Sequence, residues 1–447
     1  MSDASSAVIE RALDRMRAAG AEQADASLVE DESLEVRVRA DEIEFVKQAT
    51  GRGLRLRAFV AAAGGRRQGA TETSDFSNAA IDRMAEETVA LARATAADQA
   101  AGLPDGGFAS EVPDLELFDP ADRPWKVEER IEAARSIEQA ARAVDPRIST
   151  SGGSEARSRF ARLSYGNTAG FLEHYSRAGH ALVSMPIAEA GDEKQGDYWF
   201  SRGLTLSDLE DPASVGRTGA ERALRRLGAR PVATCEVPVI FESRVAASLL
   251  THLFACTSGD AIYRKSSFLV DRLGDRIGSE ALNVIDDGRR RAGPGSRPYD
   301  AEGLPTRRNP ILEQGRLACF LFDSYSARKL GAESTGSSGG DGVAFSNLWL
   351  EPGTGSLESL IEDTPRGLLI TEMMGSGFNP VTGDYSRGAG GAWIENGRLA
   401  QPVQEVTVAG HLEEMLGAVD AIAGDLEWQG PVASPSLRIA RMTIGGV

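Results

Sequence analysis

Two short stretches in the first half of the chain decide its fold, SLEVRVR (33–39) and GLRLRAF (53–59). In the first, Leu34, Val36 and Val38 alternate with charged residues, and the second follows the same rule. Alternation with a period of two predicts strands that have one buried face and one wet face. Strands of this kind are typical of antiparallel sheets. The N-terminal half is therefore predicted to contain an antiparallel sheet with one solvated face.

Helical periodicity flanks these strands. Apolar residues recur at helical spacing in four places, near 9–20, 81–89, 124–146 and 213–227. The third of these predicted helices begins near Pro124 and stops before Pro146, since proline is tolerated at a helix start but not in its interior. Strands are predicted between the helices, around 154–164, 171–188 and 196–203. The first half thus combines helices with a sheet.

The second half is dominated by strand patterns. A strand is predicted at 236–242 and a helix at 243–258, after which further strands are predicted at 316–323, 367–373, 391–399, 402–410 and 435–444, with one helix at 411–423. Asn396-Gly397 lies between two apolar runs and predicts a tight hairpin. The chain is therefore predicted to be an α+β protein with two domains. Residues 1–230 would form an N-terminal sheet-and-helix domain, and residues 231–447 a β-rich domain with an antiparallel, barrel-like sheet.

Composition excludes several classes of partner. The 447 residues carry 66 acidic and 49 basic side chains, a formal net charge of -17. This charge argues against nucleic acid and against anionic membranes as direct partners. No run approaches the about 18 apolar residues that a membrane helix needs, and no secretory signal is visible. Three cysteines are too few for a disulfide framework, so we expect a cytoplasmic protein.

Only four histidines are available for catalysis or metal binding, His174, His180, His252 and His411. His174 and His180 are six apart in a predicted strand and would lie about 20 Å apart. His252 and Cys256 are four apart on a predicted helix and could both reach a zinc ion. The same helix face carries apolar residues, however, so packing is the favoured interpretation. His411 opens a predicted helix and is interpreted as a capping or surface residue.

Other motifs are weak. The arginines of the 289–308 segment are interpreted as a solvated loop, with contact to an anion or a peptide carboxylate as the alternative. The Gly/Ser-rich run 336–340 lacks the Gly-Lys-Ser/Thr end of a phosphate-binding loop. No serine lies in a Gly-x-Ser-x-Gly elbow with a credible histidine partner. The residues alone assemble no catalytic constellation.

Three longer strings carry a family resemblance: SGDAIYRKSSFLVDRLG (258–274), SYSARKLGAESTGSSGG (324–340), and GDYSRGAGGAWIENG (383–397) followed by PVQEVTVAGHL (402–412). Together with residues 24–59 they resemble the TldD/PmbA family, and specifically its PmbA branch, also called TldE. The resemblance implies two domains and a cytosolic metalloprotease built from one TldD-type and one TldE-type subunit. It also implies unfolded peptides as substrates, and an older role as a modulator of DNA gyrase.

The resemblance also tells the two subunit types apart. A TldD-type subunit carries His-Glu-x-x-x-His just before a Gly-Asp pair, and a late cysteine as a further ligand. With the motif aligned on Gly259-Asp260, the first histidine position is Leu250, the glutamate position is Thr251, and the second histidine position is Ala255. No cysteine follows Cys319. The resemblance therefore implies no catalytic residue, no metal ligand and no cofactor in this chain, with zinc held by a TldD-type partner.

The expected role is a partner subunit that docks on a TldD-type protease and helps to hold extended peptide by β-strand addition. Candidate contacts with peptide or partner are Tyr263, Arg264, Lys265, Ser324, Tyr325, Tyr385 and Arg387. The three basic residues among them could instead brace Gly-rich loops. Two alternatives stay open. The first is an independent metallohydrolase with a rebuilt site at His252 and Cys256, completed by His174 or Cys235. The second is a homodimeric peptide-binding scaffold.

Overall fold

The computed structural model describes residues 2–123 and 125–447. Its helices are α1 (Ser2–Ala18), α2 (Asn78–Ala94), α3 (Val127–Val144), α4 (Pro212–Arg225), α5 (Ser243–Thr257), α6 (Gly259–Tyr263), α7 (Ser324–Leu330), α8 (Leu357–Glu362) and α9 (Leu412–Gly417). The predicted start of the third helix, Pro124, lies outside the described residues.

The strands of the first half are β1 (Gln23–Arg39), β2 (Glu42–Ala62), β3 (Gly65–Thr73), β4 (Ala97–Asp98), β5 (Ile148–Asn167), β6 (Leu172–Ala190), β7 (Glu193–Gly196) and β8 (Trp199–Gly203). Those of the second half are β9 (Cys235–Phe241), β10 (Val284–Asp287), β11 (Arg308–Glu313), β12 (Arg316–Leu317), β13 (Leu348–Leu350), β14 (Arg366–Met374), β15 (Asp384–Glu395), β16 (Arg398–His411), β17 (Val419–Ile422), β18 (Val432–Ala433) and β19 (Leu437–Gly445).

The first half forms one antiparallel sheet in the order β4-β3-β2-β1-β5-β6-β7, with β8 pairing to β6. Val36 and Val38 are fully buried and pack with Ala134 and Ile137 of α3, whereas Arg37 between them is half exposed. The predicted alternation is therefore confirmed, and it assigns one face of the sheet to the helices. The opposite face is turned toward the second half of the chain, which leaves clefts between the two.

The second half is built around a closed barrel. Strands β16, β15, β14, β9 and β19 are hydrogen-bonded in that order, and β16 pairs with β19 to close the ring. Strand β17 adds to β19, and a separate sheet has the order β12-β11-β10-β13-β18. Helix α5 packs its buried residues Val245, Leu249 and Leu253 into the core that these strands share. The predicted α+β class with a barrel-like second half is confirmed, while the boundary at residue 230 stays a prediction.

Local predictions had mixed outcomes. Asn396 and Gly397 have φ values of 52° and 70°, as the two central residues of a type I′ hairpin require, and they join β15 to β16. His411 caps α9 by accepting the Glu413 N–H, as expected. The strand at 316–323 is wrong beyond Leu317. The helix at 411–423 is wrong after Gly417, because Val419–Ile422 pairs with β19 instead.

Among residues 2–123 and 125–447, none of the helices combines the length and the apolar content that crossing a bilayer would require. The three cysteines are free thiols.

Candidate functional site

A polar cleft of about 380 Å³ lies between the open face of the N-terminal sheet and the helices α6 and α7. Both charge signs are present in its lining, which includes Arg57, Arg66, Asp98, Asp260, Tyr263, Arg264, Glu302, Asp323, Tyr325 and Asp341. Peptide main chain presents donors and acceptors in equal number, so a lining of mixed charge can satisfy both. We call this cavity the central cleft.

The structure brings together three of the predicted contact residues in the central cleft. The rings of Tyr263 and Tyr325 meet edge to face at a centroid distance of 5.7 Å. Tyr325 donates its hydroxyl proton to the Asp98 carboxylate at 2.8 Å, and Arg264 Nε donates to the Tyr263 hydroxyl at 2.7 Å. Burial and the hydrogen bond to Asp98 raise the pKa of Tyr325, so its hydroxyl stays a donor at neutral pH. Lys329 also contacts Asp98, at 2.8 Å.

Two further predicted contacts lie beside this cleft rather than in it. Ser324 is buried at the start of α7, and its N–H donates to the Glu302 carboxylate at 3.0 Å. Burial and the neighbouring Asp300 carboxyl raise the pKa of Glu302. Lys265 follows α6 in a left-handed conformation with φ 55° and is exposed to solvent. Ser324 therefore supports the cleft wall, whereas Lys265 projects from the surface beside it.

Tyr385 and Arg387 lie elsewhere, on β15 of the barrel. Tyr385 is 2% exposed, and burial raises its pKa to about 12, although the adjacent Arg387 guanidinium opposes the rise. Arg387 Nε donates to the Gly375 carbonyl at 3.0 Å, so it braces a loop, as the alternative interpretation holds. These two residues contact the surroundings of His252 and not the central cleft.

The His252–Cys256 pair is packed and not poised for metal. The His252 ring lies against Phe378 at 4.6 Å and Tyr385 at 5.7 Å, and burial, aided by Arg387, lowers its pKa to about 4. Burial raises the pKa of Cys256 to about 12, which disfavours the thiolate that binds zinc. Within residues 2–123 and 125–447, no three His, Cys, Asp or Glu side chains are grouped so that they could hold a metal ion.

The proposed additional ligands do not join this pair. His174 is exposed on β6 of the N-terminal sheet, whereas Cys235 begins β9 in the barrel. His180 is buried on β6, where it meets Phe160 and lies 3.6 Å from the Asp122 carboxylate. The residues present therefore do not fit a rebuilt zinc site at α5.

At the aligned motif positions on α5, Leu250 is buried at 2% exposure, Thr251 is exposed, and Ala255 is half buried. Leu250 packs in the barrel core, so an aliphatic side chain occupies the position at which the motif has a histidine. Neither leucine nor alanine has an atom that ligates zinc, and threonine lacks the carboxylate of a general base.

The Gly-Asp pair that anchors this alignment has an architectural role in the structure. Gly259 N–H donates to the Leu321 carbonyl at 2.7 Å, which holds α6 against the start of α7. The Asp260 carboxylate accepts the Val343 N–H at 3.0 Å and tethers the Gly-rich loop over the cleft. Packing around the central cleft therefore accounts for the Gly259-Asp260 pair.

Replacing Gly259 with alanine should lower the free energy of unfolding by about 1–3 kcal/mol, because overpacking forces neighbouring groups apart. The added Cβ would come within 2.5 Å of a Phe322 ring carbon and 2.6 Å of Ser326 Oγ. Urea titration followed by tryptophan fluorescence measures the change. The matched control is Gly179→Ala, since no atom lies within 4 Å of the Cβ added there. Equal stability of the two variants would contradict the packing role.

Sequence reasoning missed the N-terminal half of the central cleft and one brace. Arg57 and Asp98 come from the sheet and were not singled out. Arg297, interpreted as part of a solvated loop, is half buried and donates to the carbonyls of Ser338 and Ala344 at 2.8 and 3.1 Å. In the sequence, these three residues are marked only by being charged residues among apolar ones. That pattern occurs in many proteins and does not point to a particular role.

Comparison with solved structures identifies the class of protein that this fold defines. A protein of Bacteroides thetaiotaomicron named as a candidate modulator of DNA gyrase superimposes with a TM-score of 0.92 at 27% identity, over 98% of both chains. TldE of Thermococcus kodakarensis shares the fold, with a TM-score of 0.87 at 21% identity over 98% of this chain and 99% of that one. The architecture is therefore TldE-like.

Sequence comparison then gives the family. Models described as PmbA/TldA metallopeptidase domain 1, central domain and C-terminal domain match residues 24–92, 120–227 and 234–446. Metalloprotease PmbA of Escherichia coli O157:H7 is 38% identical over 85% of this chain and 83% of its own length. A PmbA homologue of Haemophilus influenzae is 36% identical over 95% and 92%. The chain belongs to the PmbA/TldD metallopeptidase family.

Proposed function

We propose that this chain is the TldE-type subunit of a cytoplasmic metalloprotease, that it lacks the zinc site, and that it assembles with a TldD-type subunit to process unfolded peptides. The observation that carries the proposal is the set of side chains at the aligned motif positions. Leu250, Thr251 and Ala255 replace both histidines and the glutamate. The partner would hold zinc, supply the water-activating base and cut the peptide bond, while this chain would complete the cavity and hold substrate.

An unpaired strand edge supports the peptide-holding role. Within the described strands, residues 42–53 of β2 pair only with β1, because pairing with β3 begins at Leu54. Ile43 and Val46 on this edge are 44% and 45% exposed. A free edge accepts an extended peptide through main-chain hydrogen bonds, which read little sequence and suit unfolded substrates.

The partner requirement gives the direct test. We expect the purified chain alone to show no chelator-sensitive cleavage of an unfolded peptide, and cleavage to appear when a TldD-type subunit is added. The matched control is the same mixture with the partner's motif glutamate changed to glutamine, which should be inactive although assembly is unchanged. Robust chelator-sensitive cleavage by the isolated chain would contradict the proposal.

The same preparations test the metallohydrolase alternative by elemental analysis. Stoichiometric zinc in the isolated chain that disappears in His252→Ala would favour a rebuilt site. Zinc that co-purifies only with the partner agrees with the proposal, since burial disfavours the Cys256 thiolate that zinc would need.

A further inference from the structure

A second cavity of about 410 Å³ lies on the open face of the N-terminal sheet, remote in sequence from the α5–α7 elements of the central cleft. Four arginines line it, Arg157, Arg159, Arg177 and Arg202, with Trp428, Pro431 and Pro294 from the second half of the chain forming the facing wall. We call it the arginine groove.

The strand register places these arginines on one face. Arg157 lies opposite Glu35 of β1 and Ala181 of β6, and Ala181 lies opposite Arg202 of β8. Directly opposed residues of antiparallel strands point to the same side of the sheet. Arg159 is two residues beyond Arg157 and shares its face because side chains alternate with a period of two.

Arg177 joins the set by the same rule. Gly179, which is opposite Arg159, is two residues from Arg177 on β6. A Cβ built on Gly179 would meet no atom within 4 Å, so the floor of the groove is open at this point. The arginines therefore surround free space.

Two of the four guanidinium groups have carboxylate partners. Arg157 lies 3.5 Å from Glu155, and Arg159 lies 3.4 Å from Asp31. Arg177 donates to the Pro294 carbonyl, and Arg202 donates to the Gln429 carbonyl at 3.3 Å. The described ion pairs include neither Arg177 nor Arg202, so these two carry positive charge that nothing described neutralises.

This local excess contrasts with the charge of the whole chain. The groove lining has four arginines and one carboxylate, Glu35, in a protein of net charge -17. Burial lowers the pKa of Arg202, and repulsion from the nearby Arg157 charge acts in the same direction. A bound anion would relieve this repulsion, and a guanidinium matches the two oxygens of a carboxylate.

The facing wall defines what accompanies the anion. Trp428 is fixed by Trp349 at 5.7 Å and by the Arg290 guanidinium at 4.6 Å from its ring. With Pro431 and Leu204 it provides an apolar surface beside the cations. A long polyanion such as nucleic acid would extend beyond the groove and be repelled by the acidic remaining surface. A short peptide with alternating acidic and apolar residues stays within the groove and satisfies both of its sides.

We infer that the arginine groove binds an extended acidic peptide, with Arg177 and Arg202 each contacting a carboxylate of the peptide and the Trp428 wall covering a neighbouring apolar side chain. This deepens the proposed function, on which it rests for peptide as the ligand class, by adding a preference for acidic segments. It also makes the N-terminal sheet a second contact region for substrate.

Fluorescence anisotropy of the isolated chain tests the inference. The probe is a rhodamine-labelled Gly-Leu-Glu-Ser-Leu-Glu-Gly peptide, compared with the same peptide carrying Gln for Glu. We expect the acidic peptide to bind at least tenfold more tightly, and the double variant Arg177→Gln with Arg202→Gln to lose about tenfold or more of that affinity, because hydrogen bonds between ionised groups are stronger than those between neutral groups. Raised salt should weaken binding.

Two further variants test whether binding occurs in the arginine groove itself. Arg217→Gln, an exposed arginine of α4, should leave binding unchanged. Gly179→Glu places a carboxylate in the open floor and should block the peptide without removing any arginine. Equal binding of the two peptides, unchanged affinity in the double variant, or binding of a labelled single-stranded oligonucleotide in place of the peptide would overturn the inference. Because the assay reads binding without the partner, its failure leaves the cleavage test unaffected, and the reverse also holds.

Discussion

Arg57→Met is expected to lower the free energy of unfolding by about 3–5 kcal/mol, because it leaves a buried carboxylate without its partner. The Arg57 and Asp25 side chains are 11% and 8% exposed, and Arg57 Nε donates to Asp25 Oδ2 at 3.0 Å. Burial alone would disfavour the charge on Arg57, yet the Asp25 carboxylate raises the pKa of Arg57 above its ordinary value. Urea unfolding at neutral pH measures the loss.

The position of this pair explains the size of the effect. Asp25 and Arg57 are direct neighbours in the β1–β2 ladder, on the sheet face that meets the second half of the chain. The Tyr165 hydroxyl donates to the same carboxylate at 3.2 Å, so it cannot replace the charge of the guanidinium. The two side chains are only 11% and 8% exposed, so water can solvate little of either charge in place of its partner.

The neighbouring arginine on the same strand and face is the control. Arg55 pairs with Asp341, whose side chain is 82% exposed. Exposed pairs contribute about 0–1 kcal/mol, so Arg55→Met should change stability by no more than that. The double variant Asp25→Asn with Arg57→Met should be more stable than the sum of the two single changes predicts, because no charge is left buried alone. A loss below 1 kcal/mol for Arg57→Met would contradict the argument.

Much of the fold could be predicted because burial follows a local rule in the long strands. Every second residue of 33–39 faces the helices, and that rule needs only the sequence. It fails beyond Leu317, where the rest of the apolar run forms no strand: Leu321 makes an isolated bridge to Ser258. It also misses α7, whose sequence SYSARKL has too few apolar residues to show a helical period.

The candidate site likewise has one part that could be predicted from the sequence and another that could not. Leu250, Thr251 and Ala255 lie within one short string, and their comparison with a zinc motif needs no structure. The central cleft could not be predicted, because Tyr325 and Asp98 are 227 positions apart and no pattern in either segment points to the other. The arginine groove depends likewise on the register of four strands, and a one-residue slip would send its arginines to the helix face.

Buried acids are the other feature that the sequence does not reveal, and Asp286 allows a quantitative test. It is 1% exposed on β10, where it accepts the Ser346 N–H at 2.6 Å. Burial raises its pKa from 3.8 to about 7, even though this hydrogen bond and the charge of Arg297 oppose the rise. The folded chain therefore holds a proton on Asp286 at pH values where the unfolded chain has released it.

Asp286→Asn should consequently change how stability depends on pH. Below about pH 4 the wild-type carboxyl is protonated in both states; as pH rises toward 7, only the unfolded state loses its proton, so the folded state loses stability. Each pKa unit corresponds to about 1.4 kcal/mol. Asparagine cannot ionise, so the variant should gain about 2–4 kcal/mol relative to wild type between pH 4 and pH 8. Urea unfolding across this range measures the difference.

Comparing the variant with wild type isolates the contribution of the Asp286 carboxyl to the pH dependence of stability. Asp300 and Glu302 are also buried and have raised pKa values, but they are common to both proteins and cancel in the difference. The control is Asp192→Asn, the same chemical change on an exposed side chain in the turn between β6 and β7, which should run parallel to wild type. If the free energy of unfolding of Asp286→Asn changes with pH in parallel with that of wild type, the prediction is contradicted. The Asp286 carboxyl would then be ionised in the folded chain, stabilised by Arg297 and the Ser346 N–H.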